Sequence, residues 1–238
     1  MKKAIIIGSS SGIGLELAKL LSQKGYMLGL TARRVELLSA VKKELLCQTH
    51  IQYMDIANTS DAPTVLMHLI SEMGGVDLII VSAGIGHINR DLDWNLEEET
   101  IKTNVLGVTA VITTAVKYFM EKGEGHLAAI SSVAAIRGGA DSPAYYASKA
   151  FLSNYLEGIR CKLLKEKKTI TITDIRPGLV DTAMAKGEGL FWVMPLDKVA
   201  KQIYDALRKK RRTVYITKRW GIIALLLRIM PDSIYSKL

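Results

Sequence analysis

The first 85 residues alternate short apolar runs with stretches of helical apolar spacing, and this alternation limits the fold more than any other feature. The runs occupy residues 4–7, 27–31, 51–54 and 77–81. Continuous apolar runs are typical of parallel strands buried on both faces, and strands that alternate with helices form βαβ units. The sequence therefore predicts an α/β fold, a single-domain, doubly wound, mostly parallel sheet with helices on both faces.

Length and composition agree with one domain. The chain has 238 residues, 49% of them hydrophobic, and single α/β domains of about 200 to 250 residues are ordinary. No linker rich in Pro, Gly, Ser or charge divides it, so we predict a catalytic domain over residues 1–217 and a C-terminal tail over 218–238. Cys47 and Cys161 have no CxxC or His partner, which favours reduced thiols in a cytoplasmic protein.

The first apolar run leads into Gly8-Ser9-Ser10-Ser11-Gly12-Ile13-Gly14, a glycine-rich turn before a helix. Glycines let the backbone turn sharply and approach a pyrophosphate, and a helix N-terminus offers unpaired N–H groups. A tight strand-to-helix turn without a ligand is the alternative. The turn favours a dinucleotide site that includes Gly8, Ser10, Ser11, Gly12, Ile13 and Gly14.

The second apolar run ends at Ala32-Arg33-Arg34, where a fold that prefers NAD usually has an acidic residue for the ribose 2′-hydroxyl. Two arginines suit a 2′-phosphate instead. Arg33 and Arg34 therefore predict a preference for NADP(H), with NAD(H) left open. The alternative is a pair of solvated cations at a strand end.

Two later strand ends carry further candidate cofactor contacts. Asp55, followed by Ile56, could accept a hydrogen bond from the adenine amine, or it could cap the helix predicted over residues 62–73. Small side chains after the fourth run would let a cofactor lie against the backbone. They belong to Ser82, Ala83 and Gly84.

The candidate catalytic groups lie between residues 131 and 151. Tyr145 and Lys149 are four residues apart, so on a helix they share a face, and the cation is expected to lower the pKa of the phenol. Ser132 follows a predicted strand and can hydrogen-bond the oxygen that Tyr145 protonates. The ordinary alternative is a half-buried ring beside a solvated amine.

Asn104 lies among apolar neighbours in the helix predicted between residues 91 and 121. A buried amide must find hydrogen-bond partners. It is either a core residue that distorts the helix or a link that holds a water near Lys149.

Together these motifs resemble the short-chain dehydrogenase/reductase family, up to about residue 216. The resemblance implies a Rossmann-type sheet of seven mostly parallel strands and an NAD(P) site beside a Ser/Tyr/Lys centre assisted by Asn. The matching pieces are the glycine turn, Asp55, Ser82-Ala83-Gly84, Asn104, Ser132, Tyr145 with Lys149, and Pro177-Gly178-Leu179-Val180-Asp181-Thr182.

The resemblance also implies a role for each residue. Tyr145 would exchange the proton, Ser132 would orient the substrate oxygen, and Asn104 would hold a relay water. Lys149 would bind the nicotinamide ribose and lower the Tyr145 pKa. The nicotinamide carboxamide pocket would be formed by Pro177, Gly178, Val180 and Thr182. Asn104, Tyr145 and Lys149 thus count as cofactor contacts as well.

The chain departs from the family pattern in two places. Val81-Ser82 stands where the family usually has Asn-Asn, which affects the bracing of the sheet. Ser11 stands where NADP-preferring members often have a basic residue, so the NADP(H) prediction rests on Arg33 with support from Arg34.

The last third of the chain is basic and ends in an apolar tail. Residues 160–238 hold 18 basic and 7 acidic side chains, and the run 218–231 is apolar nearly all round yet too short to span a bilayer. It either covers the substrate mouth or packs on a second subunit of a homodimer or homotetramer. Alternatively it lies in a membrane interface, with Trp220 and flanking cations at the headgroups. Base-stacking aromatics are missing, so no nucleic acid is predicted.

The sequence as a whole favours an NADP(H)-preferring oxidoreductase that interconverts a carbonyl and a secondary alcohol. The predicted lid over residues 184–192 is apolar, so we expect an apolar or lipid-like substrate. No metal site is predicted. The alternative is a cofactor-binding regulatory or interaction protein with the same fold and little turnover.

Overall fold

The computed structural model describes residues 1–182 and 192–236, so the predicted lid lies outside the described residues except for Trp192. Within them, seven strands form one sheet in the order β3-β2-β1-β4-β5-β6-β7, and every neighbouring pair is parallel. The predicted fold class is therefore confirmed. The strands are β1 (Lys3–Ile7), β2 (Met27–Ala32), β3 (Thr49–Tyr53), β4 (Leu78–Val81), β5 (Glu124–Ile130), β6 (Thr169–Pro177) and β7 (Thr213–Ile216).

Helices cover both faces of the sheet. Ile5 and Ile7 of β1 belong to the apolar core with α3, α5 and α6, whereas Ala4 and Ile6 belong to the core with α1, α2 and α7. Successive side chains of a strand point to opposite faces, so an unbroken apolar run serves both cores. The helices are α1 (Gly12–Gln23), α2 (Val35–Glu44), α3 (Ala62–Glu72), α4 (Trp94–Ile101), α5 (Val108–Lys122), α6 (Pro143–Lys165), α7 (Leu196–Arg208), α8 (Lys218–Ile229) and α9 (Asp232–Tyr235).

The strand order reverses between β1 and β4, and the loops after these strands meet there. The backbone N–H groups of Ser82 and Ala83 both donate to Ile7 O, at 2.8 and 2.9 Å. Gly8 has φ +86°, and a Cβ on it would lie 2.5 Å from the Ala83 nitrogen, so the close approach requires glycine. Ligands of doubly wound sheets bind at such a reversal, beyond the carboxyl ends of the strands.

A π-helical segment, Lys102–Gly107, joins α4 to α5 and contains the buried Asn104. A Cβ on Gly107 would lie 2.2 Å from the carbonyl oxygen of Ile56. The segment therefore packs directly on the backbone that follows β3. Single π-helical turns inside α-helices occur often at functional sites.

The tail folds back on its own domain as α8 and α9. Trp220 and Ala224 are buried beside Val133, and a Cβ on Gly178 would lie 2.1 Å from the Trp220 ring. The hypothesis that placed Trp220 at membrane headgroups is therefore wrong, because Gly178 leaves a space that the indole fills. No helix within the described ranges is both long and apolar enough to cross a bilayer.

Candidate active site

The glycine turn passes close to its neighbours at Gly14 and Gly12, in addition to Gly8. A Cβ on Gly14 would lie 2.1 Å from Gly8 O, so the start of α1 packs against the end of β1. Gly12 has φ +58°, and its Cβ would contact the Thr182 methyl group at 3.5 Å. Neither Gly12 nor Gly14 puts a side chain on the first turn of α1, and Thr182 lies beside this turn. This backbone cradle fits the pyrophosphate of a dinucleotide.

Arg34, rather than Arg33, contacts the glycine turn. Its guanidinium donates to the hydroxyls of Ser10 and Ser11, at 3.1 and 3.0 Å. Both arginines are exposed, and the Arg33 side chain makes no hydrogen bond or ion pair with the described part of the chain. The sequence interpretation gave Arg33 the larger part, whereas the geometry gives Arg34 the fixed position.

Asp55 and Ile56 follow β3 at the same edge of the sheet. The Ala57 N–H donates to Asp55 Oδ1 at 3.0 Å, so the carboxylate closes its own turn. The N-cap position of α3 belongs to Asp61, and Asp55 therefore does not cap that helix. The Ile56 side chain is buried and belongs to the apolar core that contains α3 and α5.

The loop after β4 runs along three of the four candidate catalytic side chains. A Cβ on Gly84 would lie 3.3 Å from both Asn104 Oδ1 and Lys149 Nζ. A Cβ on Gly86 would lie 2.7 Å from Cδ2 of the Tyr145 ring. The loop thus brings together residues that are more than forty positions apart in the sequence.

Asn104 is held by this loop and by α6. Its Nδ2 donates to Ile85 O at 2.7 Å and to Ser148 Oγ at 3.1 Å, and the Ile85 N–H donates to its Oδ1 at 2.9 Å. The amide is therefore satisfied within a distorted helix. Its role as a holder of a water stays a prediction.

Tyr145 and Lys149 lie on one side of α6, with Lys149 Nζ 5.6 Å from the centroid of the Tyr145 ring. Burial raises the pKa of Tyr145 above its ordinary value, a hydrogen bond with Ser132 acts in the opposite direction, and Tyr146 raises it further. Burial therefore outweighs the lowering of the Tyr145 pKa that the Tyr/Lys spacing predicts.

Lys149 is buried, and its ammonium donates to Ile130 O at 3.1 Å. Burial lowers the pKa of Lys149 from 10.5 to about 8, while the nearby Asp174 carboxylate acts in the opposite direction. The side chain thus keeps its proton at neutral pH and loses it in mildly alkaline solution.

Ser132 connects this group to the residues that follow β6. Its hydroxyl lies 3.4 Å from Pro177 O and accepts from the Ala134 N–H at 3.1 Å. Val180 is buried and pairs with Met194. The segment after β6 therefore lies against both Ser132 and, through Thr182, the glycine turn.

A buried ion pair beside the site was missed in the sequence. Asp174 in β6 is fully buried, and it accepts from Arg176 Nε at 2.7 Å and from the Ser131 hydroxyl. A carboxylate inside a predicted apolar strand was the available signal, because a buried charge needs a partner. The pair fixes the residue next to Ser132 and supports the protonated form of Lys149.

Arg137, five residues after Ser132, was also missed. It donates to Leu227 O at 3.2 Å and to Met230 O at 2.8 Å, at the end of α8, and pairs with Asp232. No local pattern around Arg137 indicates these contacts, because the partners lie about ninety residues away.

The chemistry available here is proton exchange at an oxygen. A phenol, an alcohol and an ammonium group lie within one region, next to a backbone cradle for a phosphate-bearing cofactor. Tyr145 and Ser132 can each donate to a substrate oxygen, and Lys149 supplies a nearby positive charge.

Comparison with known proteins agrees with this geometry. A family model described as short chain dehydrogenase matches residues 2–190. An uncharacterized oxidoreductase of Mycobacterium tuberculosis is 30% identical over 243 aligned positions, which cover 98% of this chain and 95% of that protein.

Two solved structures share the fold. A short-chain dehydrogenase/reductase from Burkholderia phymatum in complex with NAD has a TM-score of 0.85 at 18% identity, with 94% of this chain and 92% of that one covered. An alcohol dehydrogenase from Thermococcus sibiricus complexed with 5-hydroxy-NADP has a TM-score of 0.80 at 23% identity, with 90% and 95% covered. At these identities the likeness concerns the fold alone.

Proposed function

Since this chain belongs to the short-chain dehydrogenase family and is an oxidoreductase, we propose that it interconverts a carbonyl and a secondary alcohol, with Tyr145 as the general acid and base. The observation that carries the proposal is the convergence of Tyr145, Ser132 and Lys149 beside the glycine turn. A nicotinamide cofactor would supply the hydride in reduction and accept it in oxidation.

In the direction of reduction, the substrate oxygen lies between the hydroxyls of Tyr145 and Ser132. Both hydroxyls donate to it, which polarises the carbonyl. As the carbonyl carbon gains a hydride, the Tyr145 proton moves to the oxygen, and the alcohol and a phenolate result. Oxidation runs these transfers backwards.

Lys149 stabilises that phenolate. Its ammonium is held on Ile130 O within reach of the ring, in a buried environment where a charge acts more strongly than in water. Asn104 keeps the loop at Ile85 in place with two hydrogen bonds, and it donates a third to Ser148 on α6. The proposal also gives Asn104 a contact with the water of a proton relay.

The cofactor is proposed to be NADP(H) in preference to NAD(H). The glycine turn suits either dinucleotide, and the two solved structures carry NAD and an NADP derivative. Support for NADP(H) comes from Arg34, which lies between Ser10 and Ser11, and from Arg33 next to it. A cationic pair at this strand end favours a 2′-phosphate.

The substrate is proposed to be apolar or lipid-like. Support comes from the apolar cluster next to Ser132, in which Val133 packs with Ile136 and Leu179. The cytoplasmic location and the homo-oligomer remain predictions from the sequence.

The test is an assay of NADPH oxidation with a panel of aldehydes, ketones and 3-oxoacyl compounds. We expect turnover with apolar members of the panel, and Tyr145→Phe is expected to abolish it while NADPH binding is kept. Turnover by Tyr145→Phe would refute the assigned acid. Absence of turnover with every compound, despite tight NADPH binding, would favour a regulatory protein.

A further inference from the structure

The outward face of α8 is an apolar stripe. Its side chains are between half and three quarters exposed and recur at helical spacing: Ile222 (63%), Leu225 (61%), Leu226 (51%) and Ile229 (72%). The opposite face of the helix, with Trp220 and Ala224, is buried on the domain. A surface helix normally presents polar residues to water, so the stripe needs another explanation.

Cations border this stripe. Lys218, Arg219 and Arg228 are exposed, and no acidic residue occurs between positions 218 and 229. With about 100° per residue, Arg219 lies along one edge of the stripe and Arg228 along the other. Lys218 lies in line with the stripe at the first turn.

An aromatic side chain extends the same surface. Trp192 is 52% exposed, and the guanidinium of Arg219 lies 5.7 Å from the centroid of its ring. Indoles are enriched at the boundary between hydrocarbon and headgroups. Apolar side chains, an indole and bordering cations together are typical of a helix that lies in a membrane interface.

The charges distinguish between two occupants. A second copy of the chain, placed face to face on α8, would bring Lys218, Arg219 and Arg228 against the same three cations. The acidic residue that follows, Asp232, is paired with Arg137. Anionic headgroups would instead meet the cations while the acyl boundary receives the stripe.

We propose that the outward face of α8 is a docking surface for an anionic lipid bilayer. Its inward face packs beside Val133 and Gly178, so docking brings the Ser132 side of the molecule to the lipid. The surface is a permanent feature of the fold, because Arg137 holds the end of α8 on the domain. The proposal does not depend on the proposed activity.

The test is flotation of the full-length protein with vesicles. Binding is expected to phosphatidylcholine vesicles that contain about a third phosphatidylglycerol, to be weak with phosphatidylcholine alone, and to fall as salt is raised. The double variant Leu225→Ser/Leu226→Ser is expected to bind at least tenfold more weakly. Leu46→Ser removes a side chain that is 86% exposed elsewhere, and it should bind as the parent does.

Two measurements keep the test decisive. The unfolding temperature and NADPH affinity of the double variant must match those of the parent, since the replaced side chains face water. Unchanged flotation of that variant, or no flotation of the parent with anionic vesicles, overturns the proposal. So does a parent dimer, seen by sedimentation equilibrium, that the double variant loses without a change in vesicle binding.

Discussion

Gly86 has no side chain, and the Tyr145 ring occupies the space that a Cβ would need. Gly86→Ala places a methyl group 2.7 Å from Cδ2 of the ring, so the phenol must move. We expect turnover to fall by about 10- to 100-fold with a smaller change in NADPH affinity, because displacement of a catalytic group by about 1 Å can cost that much. Steady-state kinetics and a binding titration measure the two quantities.

Gly158→Ala is the matched control for this variant. Gly158 lies exposed on α6, the helix that carries Tyr145, and a Cβ there meets nothing within 4 Å. Turnover should be unchanged, and the free energy of unfolding should rise by about 0.5–1 kcal/mol. Equal turnover of the two alanine variants would show that the contact with Gly86 does not position the ring.

The two arginines after β2 make the cofactor preference testable. Arg34→Ala removes the cation held by Ser10 and Ser11, and Arg33→Ala removes its exposed neighbour. We expect each variant to bind NADPH about tenfold or more weakly, with a smaller change for NADH, since charge-assisted hydrogen bonds to a phosphate are lost. Fluorescence titration of both cofactors measures this.

Lys117→Ala, which removes an exposed cation from α5, controls for net charge. If Arg33→Ala and Arg34→Ala lowered the affinity for NADPH and NADH equally, the proposed preference for NADP(H) would be wrong. A larger effect of Arg34→Ala than of Arg33→Ala would agree with the fixed position of Arg34.

At the scale of elements, the C-terminal end of α8 is bound by Arg137, which lies in the loop after Ser132. The last carbonyl groups of a helix have no partners within it, and Arg137 donates to one of them, on Leu227, and to the carbonyl of the C-cap residue Met230. Its guanidinium also lies 4.3 Å from the centroid of the Tyr235 ring. The loop and the tail therefore stabilise each other.

Arg137→Gln is expected to lower the free energy of unfolding by about 1–3 kcal/mol, because two partly buried acceptors lose their charged donor. The comparison is Arg90→Gln, which breaks an ion pair with Asp141 whose arginine side chain is 71% exposed. Exposed pairs contribute about 1 kcal/mol or less. Thermal unfolding compares the two, and an equal loss would contradict the special position of Arg137.

The elements differ in how far the sequence revealed them. The glycine turn and the Tyr145/Lys149 spacing are local patterns, so residues a few positions apart were enough to predict where they lie. The sequence left open whether the apolar tail packs on protein or lies in a membrane interface, and with it the position of Trp220. Its burial depends on Gly178, which precedes it by more than forty residues, and no local pattern joins the two.

At the scale of the whole molecule, one partly buried histidine, His126, makes stability depend on pH. Thr173 donates its hydroxyl proton to Arg211 O at 2.6 Å, so it accepts from His126 Nε2–H at 2.8 Å. Burial, together with the positive charge of Lys210, lowers the pKa of His126 from 6.5 to about 4. The folded chain therefore keeps His126 neutral.

Between pH 6.5 and about 4 the unfolded chain binds this proton and the folded chain does not. The free energy of unfolding should therefore fall as the pH falls through this window, by up to about 3 kcal/mol from His126. His126→Gln keeps an N–H donor and cannot titrate, so its stability should fall less. Urea unfolding at several pH values measures both, and identical slopes would contradict the assignment.

The parallel sheet could be predicted from the sequence because its buried strands are short apolar runs that can be recognised one by one. The Asp174/Arg176 pair could not, since its partner groups come from β5 and β7 as well as β6. Ser131, directly after β5, donates to Asp174, and the hydroxyl of Tyr215 in β7 lies 3.1 Å from Arg176 Nη1. Such a pair can be identified only when the order of the strands in the sheet is known.

The pairing of β1 with β4, which places Ile5 beside Ile79, has a kinetic consequence. The proposed cofactor cleft lies beyond the carboxyl ends of these two strands, so it cannot form until two segments separated by two complete βα units have met. Pairings over such sequence separations are slow steps in folding. During refolding in the presence of NADPH, the fluorescence change that reports NADPH binding should therefore appear later than the recovery of helical circular dichroism.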